Sequence, residues 1–278
     1  MLEQQKLVGY HAGNSFLHAL SGGSKLLFFV LVSTAAMISY DTRFLLTVAL
    51  GSLLLFRLSH IRIKQVSFVL LFAGMFALLN VLMVYLFAPQ YGVEIYGAKT
   101  VWLEGFGQYN LTAQEVFYLC NLLLKYFCTI PLALIFLMTT HPSQFASSLN
   151  QIGIPYKIAY SVSLTLRYIP DLQEEFYVIK MSQEARGLEL SKKASLGKRV
   201  KGNLKIIIPL IFSSLERIDS IATAMELRRF GKYKKRTWYT YQALTAKDYL
   251  VIAGAVLGMV LSLALFWVNR GRFYNPWL

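Results

Sequence analysis

The run VSFVLLFAGMFALLNVLMVYLFA, Val66–Ala88, decides the fold class: 23 consecutive residues hold no Asp, Glu, Lys or Arg. A helix needs about 20 mostly apolar residues to cross the hydrocarbon of a bilayer. It is also one of the few structures that satisfies its own backbone polar groups there. The rest of the chain agrees. Of 278 residues, 56% are hydrophobic and 15% are charged, against about 25% charged in soluble domains. Too few polar side chains remain to coat a water-soluble surface. The sequence therefore reads as an all-α, polytopic membrane protein.

Working outward from this run, Val116–Thr140 is a second span, with Lys125 and Pro131 inside it. An ionisable residue at membrane depth faces a bundle interior or snorkels, and is a functional hint. Pro131 predicts a kink. Toward the C-terminus, Tyr249–Val268 is a further span. Toward the N-terminus, two shorter apolar runs flank Tyr40-Asp41-Thr42-Arg43 and read as a hairpin of spans, 22–39 and 42–59. The total is about five transmembrane helices. Cys120 and Cys128 lie about 12 Å apart along one helix, beyond disulfide reach, and read as buried thiols.

Cytoplasmic loops carry the excess of Lys and Arg. Arg57, Arg62 and Lys64 put the loop after the second span inside; Glu94, Glu104 and Glu115 against Lys99 put the next loop outside. The N-terminus and 141–247 then lie inside and the C-terminus outside, with Arg270 and Arg272 as minor violations. The net charge of +14 is concentrated: 141–247 holds 18 of the 28 Lys and Arg. A basic arm beside anionic headgroups accounts for this charge, so no nucleic-acid partner is implied. Three regions result: 1–140 with about four spans, a cytoplasmic module 141–247, and 248–278 with the last span.

The module reads as long amphipathic helices. His141–Arg167 is helical with a break at Gly153-Ile154-Pro155. Pro170–Arg186 is a helix with Pro in its first turn and Asp171, Glu174 and Glu175 at the positive end of its dipole. Ser191–Gly202 is a basic linker containing Lys192-Lys193 and Lys198-Arg199. Asn203–Phe230 is a second helix containing Pro209, and the basic run Lys234-Lys235-Arg236 follows. The two helices end alike. Glu184-Ala185-Arg186-Gly187 closes the first and Glu226-Leu227-Arg228-Arg229 the second, with the arginines Arg186 and Arg228 42 residues apart. Arg offers a rigid fork of five donors and stays charged when partly buried. It complements the carbonyl end of a helix, and an arginine in a small socket is a common interface anchor.

On these residues the sequence resembles the transmembrane component of energy-coupling-factor transporters, importers of vitamins or metal ions in bacterial plasma membranes. In that family two Ala-Arg-Gly motifs end two coupling helices, and each arginine docks into one of two ATP-binding-cassette ATPases. Ala185-Arg186-Gly187 matches the first motif in full. Leu227-Arg228-Arg229 stands at the second, with Arg229 in place of glycine, so either Arg228 or Arg229 can be the docking residue. Ser15-Phe16-Leu17-His18-Ala19-Leu20 with Lys25-Leu26-Leu27 resembles the family's entry segment. The resemblance implies a multi-pass coupling subunit with no catalytic residues and no cofactor of its own. ATP and Mg would be bound by the two partner ATPases. It also implies that a small substrate-binding membrane subunit, the S component, rests on apolar faces that include Ile158, Val162, Leu166, Ile207, Leu210 and Ile211.

Other chemistry is not evident in the sequence. Gly22-Gly23-Ser24-Lys25 and Gly197-Lys198-Arg199 lack the phosphate-loop order, and His11, His18, His60 and His141 lack metal-ligand spacing. The alternatives are a self-sufficient secondary transporter, which would need matching broken helices in two halves, and a membrane-anchored scaffold or enzyme unrelated to ABC ATPases.

Overall fold

The computed structural model describes residues 15–103, 109–188, 196–233, 237–239 and 241–277. Glu104, Lys192-Lys193 and Lys234-Lys235-Arg236 lie outside them. In chain order the elements are α1 (Phe16–Ala19), α2 (Gly22–Ile38), α3 (Thr42–Leu58), α4 (Ile63–Phe87), α5 (Tyr91–Tyr96), β1 (Val101–Leu103), β2 (Leu111–Thr112), α6 (Ala113–Thr139), α7 (Pro142–Gln151), α8 (Tyr156–Ala185), α9 (Leu196–Leu227) and α10 (Ala246–Val268). Two compact units emerge. The membrane unit holds residues 15–141 and 242–277; the arm is Pro142–Tyr241.

In the membrane unit α4, α6 and α10 are long and apolar enough to cross a bilayer. The α2 and α3 helices have 17 residues each, at the short end of the roughly 17–25 that a span requires. Four of these helices, α2, α3, α6 and α10, start where a polar side chain meets an orphan N–H; α4, preceded by Arg62, has no side-chain cap. Ser21 accepts from the Ser24 amide at 3.2 Å, Asp41 from Arg43 at 3.0 Å, and Thr112 from Glu115 at 3.2 Å. Thr245 and Asp248 form a capping box at the start of α10. Pro131 is buried inside an unbroken α6. Cys128 is buried as expected, whereas Cys120 is exposed on the outer face of α6.

Contacts fix the helix directions. Phe29 stacks on Phe136 at 5.5 Å and Lys25 reaches Thr139, so α2 runs antiparallel to α6. Thr42 donates to Asn121 at 2.8 Å and Ser52 to the Phe127 carbonyl at 3.0 Å, so α3 runs parallel to α6. Ala36, Leu45, Ala49 and Cys128 close the core between them.

The segments that charge counting places outside meet at one end. Tyr40 bridges Phe273. Asp41 accepts from Asn269 at 2.7 Å, and Asn275 donates to the Tyr96 carbonyl at 3.0 Å. A ring cluster of Tyr40, Tyr96, Phe117, Tyr118, Phe273 and Trp277 seals that end. The loop there also contains α5 and the small β1–β2 hairpin, which the apolar periodicity does not reveal. At the opposite end Leu17, Leu20 and Ile135 pack with Leu55, Phe56, Ile61 and Val251.

In the arm, α8 is one helix of 30 residues that runs through Pro170, instead of starting there. An interior proline forfeits one backbone hydrogen bond and clashes with the preceding turn, at about 3 kcal/mol, so the pairing with α9 must outweigh it. Glu175 is consequently a mid-helix residue and not a first-turn cap. It accepts hydrogen bonds from Ser213 and from Arg217, the latter at 2.7 Å. The α9 helix begins at Leu196, so the second half of the expected basic linker is helical. The break at Gly153 is present, with φ +101°.

Candidate docking site on the arm

The α8 tip is built by the backbone. Arg186 is the cap residue, Gly187 follows at φ +85° in the left-handed region, and the chain turns away. The Gly187 N–H donates to the Glu184 carbonyl at 3.0 Å and the Leu188 N–H to the Gln183 carbonyl at 3.0 Å. These two bonds define a Schellman ending, which satisfies carbonyls that a helix end leaves orphaned. Ala185, Arg186 and Gly187 are exposed.

The α9 tip repeats the same bonds. The Arg229 N–H donates to Glu226 at 2.8 Å and the Phe230 N–H to Met225 at 2.9 Å. Arg229 holds the left-handed position at φ +53°. The two tips therefore correspond residue by residue: Ala185 to Leu227, Arg186 to Arg228, Gly187 to Arg229. Arg228 is the geometric counterpart of Arg186, and Arg229 occupies the glycine position. A residue with a Cβ is strained there by about 1–2 kcal/mol. Leu227, Arg228 and Arg229 are all exposed.

The tips lie at opposite ends of a helix pair. Phe230 packs on Tyr160 at 4.8 Å and on Tyr156 at 5.6 Å, near the start of α8. Arg217 lies 5.9 Å from the Tyr168 ring and 2.7 Å from Glu175, farther along α8. The two helices thus run antiparallel, and both tips are C-terminal ends. From Tyr160, beside the α9 tip, to Arg186 is 26 residues, about 39 Å along the helix at 1.5 Å per residue. The α9 tip is seated: Trp238 lies 6.4 Å from Tyr160 and donates to Asn150 at 3.1 Å. The seat of Tyr156, Tyr160, Phe230 and Trp238 escapes a search for tip motifs. Its signal in the sequence is Phe230, an aromatic residue directly after Arg228-Arg229.

Of the apolar residues expected at a partner surface, Ile158, Ile207 and Ile211 are 56%, 41% and 52% exposed. Val162, Leu166 and Leu210 are half-buried. The exposed face of α9 is broader than expected. Leu204, Ile208, Ile211, Leu215 and Ile218 recur at helical spacing along it, with Phe212 beside them.

In the membrane unit the flagged Lys125 faces the interior. Its Nζ donates to the Met37 carbonyl at 2.7 Å and lies 3.1 Å from the centre of the Tyr40 ring. Lys25, which the sequence reading passes over as part of the entry segment, is buried as well and donates to the Thr139 carbonyl at 2.9 Å.

Comparison with known proteins bears on the whole chain. The profile of a family described as "CbiQ: Cobalt transport protein" matches residues 13–239. The chain is 30% identical over 278 residues to the energy-coupling factor transporter transmembrane protein EcfT of Brevibacillus brevis, covering 96% of this chain and 99% of that one. It is 26% identical over 275 residues to the protein of that name from Macrococcus caseolyticus, covering 92% and 98%. For the one from Lactococcus lactis the figures are 24% over 270 residues, 93% and 97%.

Proposed function

We propose, from the premise that this chain belongs to the CbiQ cobalt transport protein family and to the EcfT transmembrane proteins of energy-coupling factor transporters, that it is the coupling scaffold of an ATP-driven importer. One observation carries the reading. Two exposed arginine tips with the same Schellman geometry stand at opposite ends of a single antiparallel helix pair. Each tip fits a socket on one of two ABC ATPases, in the cytoplasm. The apolar faces of α8 and α9 support a small substrate-binding membrane subunit. ATP-driven closure of the ATPases changes the spacing of the tips, and α8 and α9 pass the change to that subunit. The chain itself needs no catalytic residue for this, since ATP and Mg stay with the ATPases.

The test is the double variant Arg186→Ala/Arg228→Ala in the co-expressed complex. The membrane unit should insert and fold, while the ATPases no longer co-purify and uptake falls to background. Retained ATPases and normal uptake in that variant would reject the reading. Uptake by the chain alone in liposomes, driven by an ion gradient, would instead favour a self-sufficient secondary transporter.

A further inference from the structure

We propose that Arg229 is a second docking guanidinium, which makes the α9 tip demand a more acidic socket than the α8 tip and so helps decide which ATPase occupies which end. The proposal rests on the docking reading above and adds a selectivity to it. Three observations carry it.

The first is the backbone. Both tips close with the same pair of hydrogen bonds, and that turn needs a left-handed residue. Gly187 supplies it without strain, whereas Arg229 adopts φ +53° despite its Cβ. Arg270 ends α10 in the same left-handed position, at φ +50°, so the backbone alone names no role; what Arg229 adds, where the α8 tip has glycine, is a guanidinium on an exposed tip.

The second is charge. Over matching windows, 183–188 holds Glu184 and Arg186, for a net charge of zero; 225–230 holds Glu226, Arg228 and Arg229, for a net charge of one positive. Lys180, 3.9 Å from Glu184, lies earlier on α8 and its α9 counterpart is the uncharged Ala222, so the extra positive charge at the α9 end is confined to the tip residues themselves.

The third is rigidity. Phe230, directly after Arg229, is held between Tyr156 and Tyr160. The base of the Arg229 side chain is thereby fixed, and its exposed guanidinium points from a pre-set turn. A pre-organised fork loses less freedom on meeting carboxylates. The complementary surface is therefore a socket with at least one more carboxylate than the partner of Arg186 requires.

The experiment uses the whole complex, co-expressed with both ATPases and the substrate-binding subunit. Single cysteines replace Met181 and Thr223, matching exposed positions one turn before each tip. Cross-linking to each ATPase is then read as salt is raised. Arg229→Gly should lower the yield from position 223 by about fivefold, the scale of one exposed charge pair. Position 181 should be unchanged. Arg229→Lys should keep at least half of the original yield. Because glycine suits the turn, the Gly variant should melt no lower than the parent. Unchanged cross-linking from 223 in the Gly variant, an equal fall at both positions, or a Lys variant as weak as the Gly variant would each overturn the proposal. If the Arg186→Ala/Arg228→Ala variant kept both cross-links, the docking reading itself would fail, which is a separate result.

Discussion

Lys25 and Lys125 each cap the other's helix. Lys25, at the start of α2, donates to the Thr139 carbonyl at the end of α6 at 2.9 Å; Lys125, on α6, donates to the Met37 carbonyl at the end of α2 at 2.7 Å. Both carbonyls belong to last turns, where no intrahelical donor remains, and both lysines are buried. Antiparallel packing lets one side chain from each helix meet the negative end of the other's dipole. Replacing Lys25 by Met leaves the carbonyl of buried Thr139 unpaired and should cost about 1–3 kcal/mol; Met37 is half-exposed, so Lys125→Met should cost less. The two sites lie at opposite ends of the helix pair, so the losses should add to within about 0.5 kcal/mol. Thermal unfolding in detergent of the two single variants and the double variant checks both statements.

Gly187 and Arg229 occupy one position in two copies of the same turn, so substitution there should act with opposite signs. Gly187→Ala should destabilise α8 by about 1–2 kcal/mol. Arg229→Gly should stabilise α9 by up to about 1 kcal/mol. Hydrogen exchange in the last turns of the two helices distinguishes them; equal protection changes at both would contradict the matched geometry.

Asp41 ties the α2–α3 turn to the C-terminal segment. Its burial opposes ionisation, but the hydrogen bonds from Arg43 and Asn269 and the charge of Arg43 outweigh that, and its carboxyl lies below the ordinary value. A depressed carboxylate contributes stability above its unfolded pKa, and that stability is lost as pH falls through the lowered folded value. The protein should therefore soften below about pH 4, the ordinary range for Asp. Asp41→Asn should be less stable at neutral pH and should have a flatter profile in that window. An unchanged acid slope in melting temperature would exclude this role.

Phe230→Ala should loosen the α9 tip without unfolding the arm. The ring is half-buried between two tyrosines, so a loss of about 1–2 kcal/mol is expected, less than for a fully buried aromatic. ATPase retention through the α9 tip should weaken and that through the α8 tip should not. Proteolysis around 228–233 provides the readout.

Asp248 joins two helix starts. One carboxylate oxygen accepts from the Ser21 amide at 2.8 Å and from Ser24; the other accepts from the Thr245 amide at 2.8 Å and its hydroxyl at 2.7 Å. Removing it by Asp248→Ala should cost about 3 kcal/mol or more, because four donors lose a buried acceptor at once. A smaller loss, comparable to that of a single helix cap, would mean that the donors find other partners.

The spans were legible because their evidence is local. Apolar runs bounded by Asp41, Arg62 and Thr245 mark helix ends within a few residues, and the arginine tips show as a repeated short pattern. What the sequence concealed depends on distant neighbours. Pro170 reads as a helix start until α9 is known to pack along that stretch, with Arg217 reaching Glu175 from 42 residues away. Lys25 reads as an unremarkable basic residue in an entry segment, because the carbonyl it serves is 114 positions later. The glycine-like turn at Arg229 is invisible in the residue type itself.

The bridge from Tyr40 to Phe273 has a consequence for biogenesis. A ribosome delivers Tyr40 well before Phe273, with the whole of Pro142–Tyr241 emerging in between. The end of the bundle that holds this bridge must wait, unsealed, until Phe273 has emerged. Nascent chains stalled before Phe273 would hold inserted helices around a vestibule still lacking its stopper.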